Sequence, residues 1–298
     1  MNRKYKNLKL TFDKDYTEMV SGILGYLLNP DGIEETEVGK GSVCINIYIS
    51  YDATVTDEHL RQLIKENLSN IEYELEIKAF EYDPATETAW KKYFKPQKIG
   101  KNVVIKPSWE EYKQKDGDIV VTIDPGAAFG TGLHETTRGV IVLLEEIVEL
   151  RKNNKENLST LHMLDAGTGS GILAIAAHKM GIGNILAVDN DREAVETTEE
   201  NIIANNITSG IAAEQNTIED VKENDCYDII LANIIPEVLI RNKAGLFKML
   251  RKNGDLVLSG ILAKEENKVV EEFLDIKGLE LHKRVQLEEW TSLWFRSE

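Results

Sequence analysis

Residues 163–176 read Met163-Leu-Asp165-Ala-Gly167-Thr-Gly169-Ser-Gly171-Ile-Leu-Ala-Ile-Ala, and they constrain the chain more than any other stretch. An apolar strand runs into a turn with glycine at three alternate positions, and the turn opens an apolar helix. Glycine lets a backbone turn tightly at a strand end and lets a ligand lie against main-chain amides. Asp165 stands two residues before the first glycine, and Asp189 ends the next apolar run, 22 positions after Gly167. In a doubly wound sheet these two strand ends lie side by side at the mouth where ligands bind, and a carboxylate there accepts hydrogen bonds from ribose hydroxyls. A plain turn accounts for glycines but not for two carboxylates so placed. The candidate ligand residues are therefore Asp165, Gly167, Gly169, Gly171 and Asp189. A nicotinamide dinucleotide site uses the same geography with the spacing G-x-G-x-x-G. Counted from Gly167, its third glycine falls on Ile172, and no basic residue stands ready for phosphates.

The pattern on either side of this motif sets the fold class. Helix and strand alternate from residue 137 onward. Helices are expected at 138–150, 171–180, 192–205 and 238–250, with strands at 162–165, 184–189, 228–232 and 255–259. Such alternation means an α/β fold with a parallel sheet and helices on both faces. Two strands with no helix between them, 281–286 and 290–296, predict an antiparallel strand at the sheet edge. The first 84 residues read β-α-β-β-α-β, the ferredoxin-like split βαβ order, with Asp15 and Thr56 as expected helix caps. Pro84, Pro96 and Pro107 punctuate the connection, which carries a possible short helix at 88–94 and strands at 101–106 and 118–123. The expected domains are residues 1–84, a linker over 85–118, and a Rossmann-like domain over 119–298.

Two further segments carry chemistry. Ile229-Ile-Leu-Ala-Asn233-Ile-Ile-Pro236 ends a buried strand on a carboxamide. Its carbonyl can accept an N–H from an attacking nitrogen and aim the lone pair, so Asn233 is the candidate catalytic residue. A simple turn cap is the plainer role for the same residue. Ile123-Asp-Pro-Gly126-Ala-Ala-Phe129-Gly130-Thr131-Gly132-Leu-His134-Glu-Thr136-Thr137 precedes a helix that Thr136 or Thr137 can cap. Its glycines suit a loop that closes over a ligand, with Phe129, Gly130 and Thr131 as cofactor contacts. The five histidines are scattered, so no metal site is expected.

Taken together, Asp124-Pro-Gly126, Phe129-Gly-Thr-Gly132, His134, Thr136-Thr137, the Asp165–Gly171 motif, Ala232-Asn233-Ile and Leu258-Ser259-Gly260-Ile261-Leu262 resemble the PrmA family, the methyltransferases of ribosomal large-subunit protein eleven. Trp90-Lys-Lys-Tyr-Phe94-Lys-Pro96 and Ile105-Lys-Pro107-Ser-Trp109 are similar to that family's linker. Glu135 and Pro236 depart from the family pattern. The resemblance implies a ferredoxin-like recognition domain ahead of a Rossmann-like methyltransferase domain. It implies S-adenosylmethionine as cofactor, contacted at Thr137, Gly167, Asp189 and Asn233. It implies methylation of lysine side-chain or N-terminal amines of a basic ribosomal protein; another protein or a small amine is the alternative acceptor. A non-catalytic binding protein on this fold would not need both Asp189 and Asn233.

Charge and cysteine content agree with that partner. The net charge is −16, and residues 1–84 hold 9 Lys and Arg against 16 Asp and Glu. Phosphate backbones call for the opposite balance, so no direct nucleic-acid binding is expected. Solubility is the plain reading of the acidic balance and a basic partner the sharper one, just as residues 1–84 read either as a packing or dimerisation module or as a substrate-recognition module. No apolar run reaches the roughly 20 residues a membrane helix needs, and no signal segment follows Met1. Cys44 and Cys226 lie far apart in sequence, which fits a reducing cytoplasm, and a monomer is expected.

Overall fold

The computed structural model describes residues 4–28, 32–38, 41–51, 56–69, 71–81, 95–124, 134–221 and 226–298. They fall into two units, Met1–Tyr93 and Phe94–Glu298. In the first, strands β1 (Lys4–Asp13), β2 (Gly32–Val38), β3 (Ser42–Tyr51) and β4 (Tyr73–Glu81) form one sheet in the order β2-β3-β1-β4. All neighbours are antiparallel, as the split βαβ order requires. Alternation along β1 puts Leu8, Leu10 and Phe12 on one face, where they join Ile45 and Ile47 of β3. That face is covered by Val20 and Leu24 of α1 (Thr17–Leu28) and Leu60 and Ile64 of α2 (Asp57–Asn67). Thr56 caps α2, accepting from the His59 amide at 3.2 Å. The Asp15 cap is not formed. A 3-10 turn, Lys14–Tyr16, precedes α1, so Asp13 is the residue in extended conformation, and its carboxylate accepts from the Asp15 amide.

The second unit is built on a seven-stranded sheet with the order β10-β9-β8-β11-β12-β14-β13. Its strands are β8 (His162–Ala166), β9 (Asn184–Asp189), β10 (Ile211–Gln215), β11 (Tyr227–Asn233), β12 (Leu250–Leu262), β13 (Leu279–Leu287) and β14 (Trp290–Ser297). The five from β10 to β12 are parallel. β14 runs antiparallel to both neighbours and sits one place in from the edge. The reason is burial. Residues 291–295 are all buried, whereas β13 is largely exposed and takes the rim.

One face of this sheet packs on α3 (Glu135–Asn153) and α4 (Ile172–Met180); the other packs on α6 (Pro236–Met249) and α7 (Glu266–Leu274). α5 (Arg192–Ala204) lies beside α4, with Ile202 on the same core. Strand alternation assigns Met163, Ala187 and Leu231 to the α3–α4 face and Leu164, Val188 and Ala232 to the other. By the same period of two, Asp165, Asp189 and Asn233 all point to the α3–α4 side.

The expected linker is in part a structural layer of this unit. β5 (Gln97–Ile99), β6 (Val103–Lys106) and β7 (Ile119–Thr122) form a small sheet whose Ile99, Val103, Ile105 and Val121 share the α3 core. Glu145 of α3 fastens it, its carboxylate accepting from the amides of Lys101, Asn102 and Val103 at 2.6, 2.6 and 3.1 Å. The short helix expected at 88–94 lies outside the described residues. Among the described residues no helix is long and apolar enough to cross a membrane.

Candidate active site

A cavity of about 610 Å³ crosses the carboxyl ends of the parallel strands. Its wall follows the order of the sheet: Asn216 and Thr217 after β10, Asp189 on β9, Gly167 and Gly169 after β8, Asn233 on β11, Gly260 on β12 and Trp290 on β14. This is the crevice where open α/β sheets bind ligands. Among the residues expected at the cofactor, Gly167, Gly169, Asp189 and Asn233 line it. Phe129, Gly130 and Thr131, and with them residues 126–133 of the expected closing loop, lie outside the described residues.

Asp189 is set for a diol. Its Oδ2 accepts from the Gly169 amide at 3.0 Å and its Oδ1 from the Asp191 amide at 3.1 Å. Each carboxylate oxygen has a second lone pair to offer to a hydroxyl. The turn beside it needs glycine. Gly167 has φ +77°, and a Cβ there would stand 2.4 Å from Ile234 Cγ2.

Asp165 and Gly171 are not part of the cavity wall. Asp165 is fully buried, and its Oδ2 accepts from the Thr168 hydroxyl at 2.8 Å and the Ala174 amide at 3.1 Å. It ties the glycine turn to the first turn of α4. Gly171 begins α4 with φ +76°, against Thr198. Burial pushes the Asp165 carboxyl up to about 6, with the charge of Asp189 adding to the rise and the two donors opposing it. Between its ordinary value of 3.8 and that value the unfolded chain has released the proton while the folded chain keeps it. Stability therefore falls as pH rises through this window and is level above it, by roughly 3 kcal/mol in all. Asp165→Asn removes this dependence. In urea titrations at pH ~4 and ~7, the variant should gain on the wild type by most of that amount. A difference between the two proteins that is the same at both pH values would refute the raised carboxyl.

Asn233 presents its carbonyl. Its Nδ2 donates to the Thr137 hydroxyl at 3.3 Å, while Oδ1 is buried and has no hydrogen-bond partner. Thr137 is itself buried behind the wall at 1% exposure, so it orients the amide. Thr136, its neighbour, reaches the cavity. Ser259 anchors this helix start, donating to the Thr136 carbonyl at 3.1 Å and meeting Ser292 at 2.7 Å. The cap of α3 is His134, not a threonine: its Nδ1 accepts from the Thr136 amide at 3.3 Å. Its ring stands edge-on to Trp290, 4.9 Å between centroids, on the far cavity wall. Asn216, Ile218, Glu219, Arg241 and Trp290 also line the wall, with no sequence motif to mark them. The first three follow β10, an edge strand whose Ile211-Ala-Ala-Glu-Gln215 carries no clear apolar alternation.

A family model described as ribosomal protein L11 methyltransferase (PrmA) matches residues 19–298. The chain belongs to that family. The ribosomal protein L11 methyltransferase of Geotalea uraniireducens (strain Rf4) is 44% identical over 212 residues, covering 70% of this chain and 66% of that protein. The matched segment thus spans just under two thirds of that relative. The ribosomal protein L11 methyltransferase of Heliobacterium modesticaldum (strain ATCC 51547 / Ice1) is 36% identical over 267 residues, covering 88% of this chain and 80% of its own. A solved ribosomal protein L11 methylase from Lactobacillus delbrueckii subsp. bulgaricus is similar with TM-score 0.59 at 30% identity, over 69% of this chain and 100% of that one. The L11 methyltransferase family uses S-adenosylmethionine, and the cavity fits it. Asp189 keeps lone pairs for hydroxyl donors, the glycine turn leaves room for a ligand against the backbone, and the buried Asn233 Oδ1 has no hydrogen-bond partner.

Proposed function

We propose that this chain methylates amines of ribosomal large-subunit protein L11, on lysine side chains or the N-terminus, with S-adenosylmethionine as donor. The observation that carries the reading is the buried, unpartnered Oδ1 of Asn233 in a cavity that also holds Asp189. When bound, the cofactor supplies a methyl group activated by an adjacent sulfonium. The residues that would hold it are Gly167, Gly169 and Asp189.

The chain's own residues then position the acceptor and exclude water. Asn233 Oδ1 accepts one N–H of the amine and so aims its lone pair. A lysine amine has an ordinary pKa near 10.4 and arrives protonated. Ile234, Ile235 and Trp290 give the cavity an apolar wall, which disfavours the ammonium and promotes proton loss to water at the mouth. The acidic first unit, read as a recognition module for this basic protein, raises the local concentration of acceptor.

The test is incubation of the full chain with radiolabelled S-adenosylmethionine and total ribosomal protein. Label in L11, lost when its lysines are replaced by arginine and its N-terminus is blocked, is expected. Label confined to another protein or to a small amine would overturn the L11 assignment.

A further inference from the structure

One pair of charged residues on the cavity wall has no part in the reading above. Glu219 lies in a 3-10 turn, Ile218–Asp220, that follows β10, and Arg241 lies on α6. Both line the cavity. Arg241 Nε stands 3.3 Å from Glu219 Oε1, so the pair bridges two separate elements. Their side chains are 66% and 49% exposed, and exposed pairs of this kind add little to stability. Its own backbone amide and the nearby Arg241 hold the Glu219 carboxyl below the usual glutamate range. Just inside, Ile218 is packed in the same core as Leu239 of α6. The turn is thus fastened to the helix by an apolar contact within and an ion pair at the rim.

The position of this rim along the cavity gives it a role, and the argument rests on the cofactor reading proposed above. With the ribose at Asp189 and the methyl end at Asn233, the base must lie on the far side of Asp189. That end is walled by Val188, Ile218 and Val238, with Glu219 and Arg241 outside them. We infer that Arg241, held in place by Glu219, is a cofactor-affinity residue that covers the adenine. A guanidinium is planar and stacks flat on an aromatic face, which an ammonium meets only as a compact, strongly hydrated point charge. Glu219 fixes its placement, so less side-chain freedom is lost when the base arrives.

The test is calorimetric binding of S-adenosylhomocysteine and of adenosine to the full chain and its variants. Arg241→Ala should weaken both ligands by the same factor, about three- to tenfold. Arg241→Lys should recover little of the loss. Glu219→Gln should weaken both ligands less, and should add nothing further in the Arg241→Ala background. Wild-type affinity in Arg241→Ala, full recovery by lysine, or a loss seen with S-adenosylhomocysteine but not with adenosine would each overturn the inference. A wild-type chain that binds neither ligand would instead bring down the cofactor reading, and this proposal with it.

Discussion

Replacing Asn233 by alanine should lower kcat by about 100- to 1000-fold, the range for removing one preorganised polar group from a reacting centre. The cofactor dissociation constant should change far less. The split follows from what Asn233 touches. One N–H of its Nδ2 is engaged behind the wall with Thr137, and Oδ1 is the acceptor that stays without a partner. Removing that acceptor leaves Asp189 and the glycine turn in place to bind the donor. The fold should hold, because the hydrogen bond to Thr137 is worth about 1 kcal/mol. Asn233→Asp keeps an acceptor at the same place and should retain more activity than alanine. Single-turnover rates with ribosomal protein L11, alongside calorimetry, separate the two quantities. Activity within about threefold of wild type, or ~0.65 kcal/mol, would make Asn233 a turn residue and place the amine elsewhere.

The second large effect is on stability, at the opposite end of the sheet. Asp255→Ala should destabilise the second unit by about 3–5 kcal/mol, the cost of removing one partner from a buried ion pair. Asp255 is fully buried, and burial holds its carboxyl above the usual range despite Arg151, Trp294 and Arg296 around it. Arg151 from α3 bonds Oδ2 through Nε at 3.0 Å, and the Trp294 indole donates to Oδ1 at 2.9 Å. Arg151 is only 6% exposed, and among the described residues Glu156, 2.8 Å from Nη1, is the carboxylate it keeps if Asp255 goes. The charge left behind, more than the lost contact, produces the destabilisation. The network joins α3, β12 and β14, so it also fixes the inner place of the antiparallel strand. Urea unfolding followed by near-ultraviolet circular dichroism measures the loss. A change under about 1 kcal/mol would mean that water reaches Arg151 and the pair is effectively a surface one.

Much of the site is local and therefore legible in the sequence. The strand, glycine turn and helix over 162–180 follow from residues within a few positions of one another. A period of two in β8, β9 and β11 is enough to put Asp165, Asp189 and Asn233 on the same face. Asp189 and Asn233, each the last residue of its strand, consequently reach the cavity.

What the sequence left open is whether a residue faces the ligand or supports the group that does. Asp165 reads as a ligand carboxylate, but it turns inward to accept from the Ala174 amide, one of the first-turn donors of α4 that have no partner within the helix. Thr137 reads as a cofactor contact and instead orients Asn233, 96 residues away in sequence. Arg241 and Glu219 have no motif around them and come together only because β10 and α6 converge on one cavity end. The segment at 97–106 is flanked by Pro96 and Pro107, as a linker would be, yet its apolar residues find the α3 core and become a sheet. By itself, then, the sequence determined the elements, their order and the residues that end each strand, because backbone propensity and side-chain alternation act over a few residues. The tertiary structure decided the inner place of β14, the inward turn of Asp165 and the pairing of Arg241 with Glu219. Each of these depends on burial and hydrogen-bond satisfaction between segments distant in the chain, which no local pattern encodes.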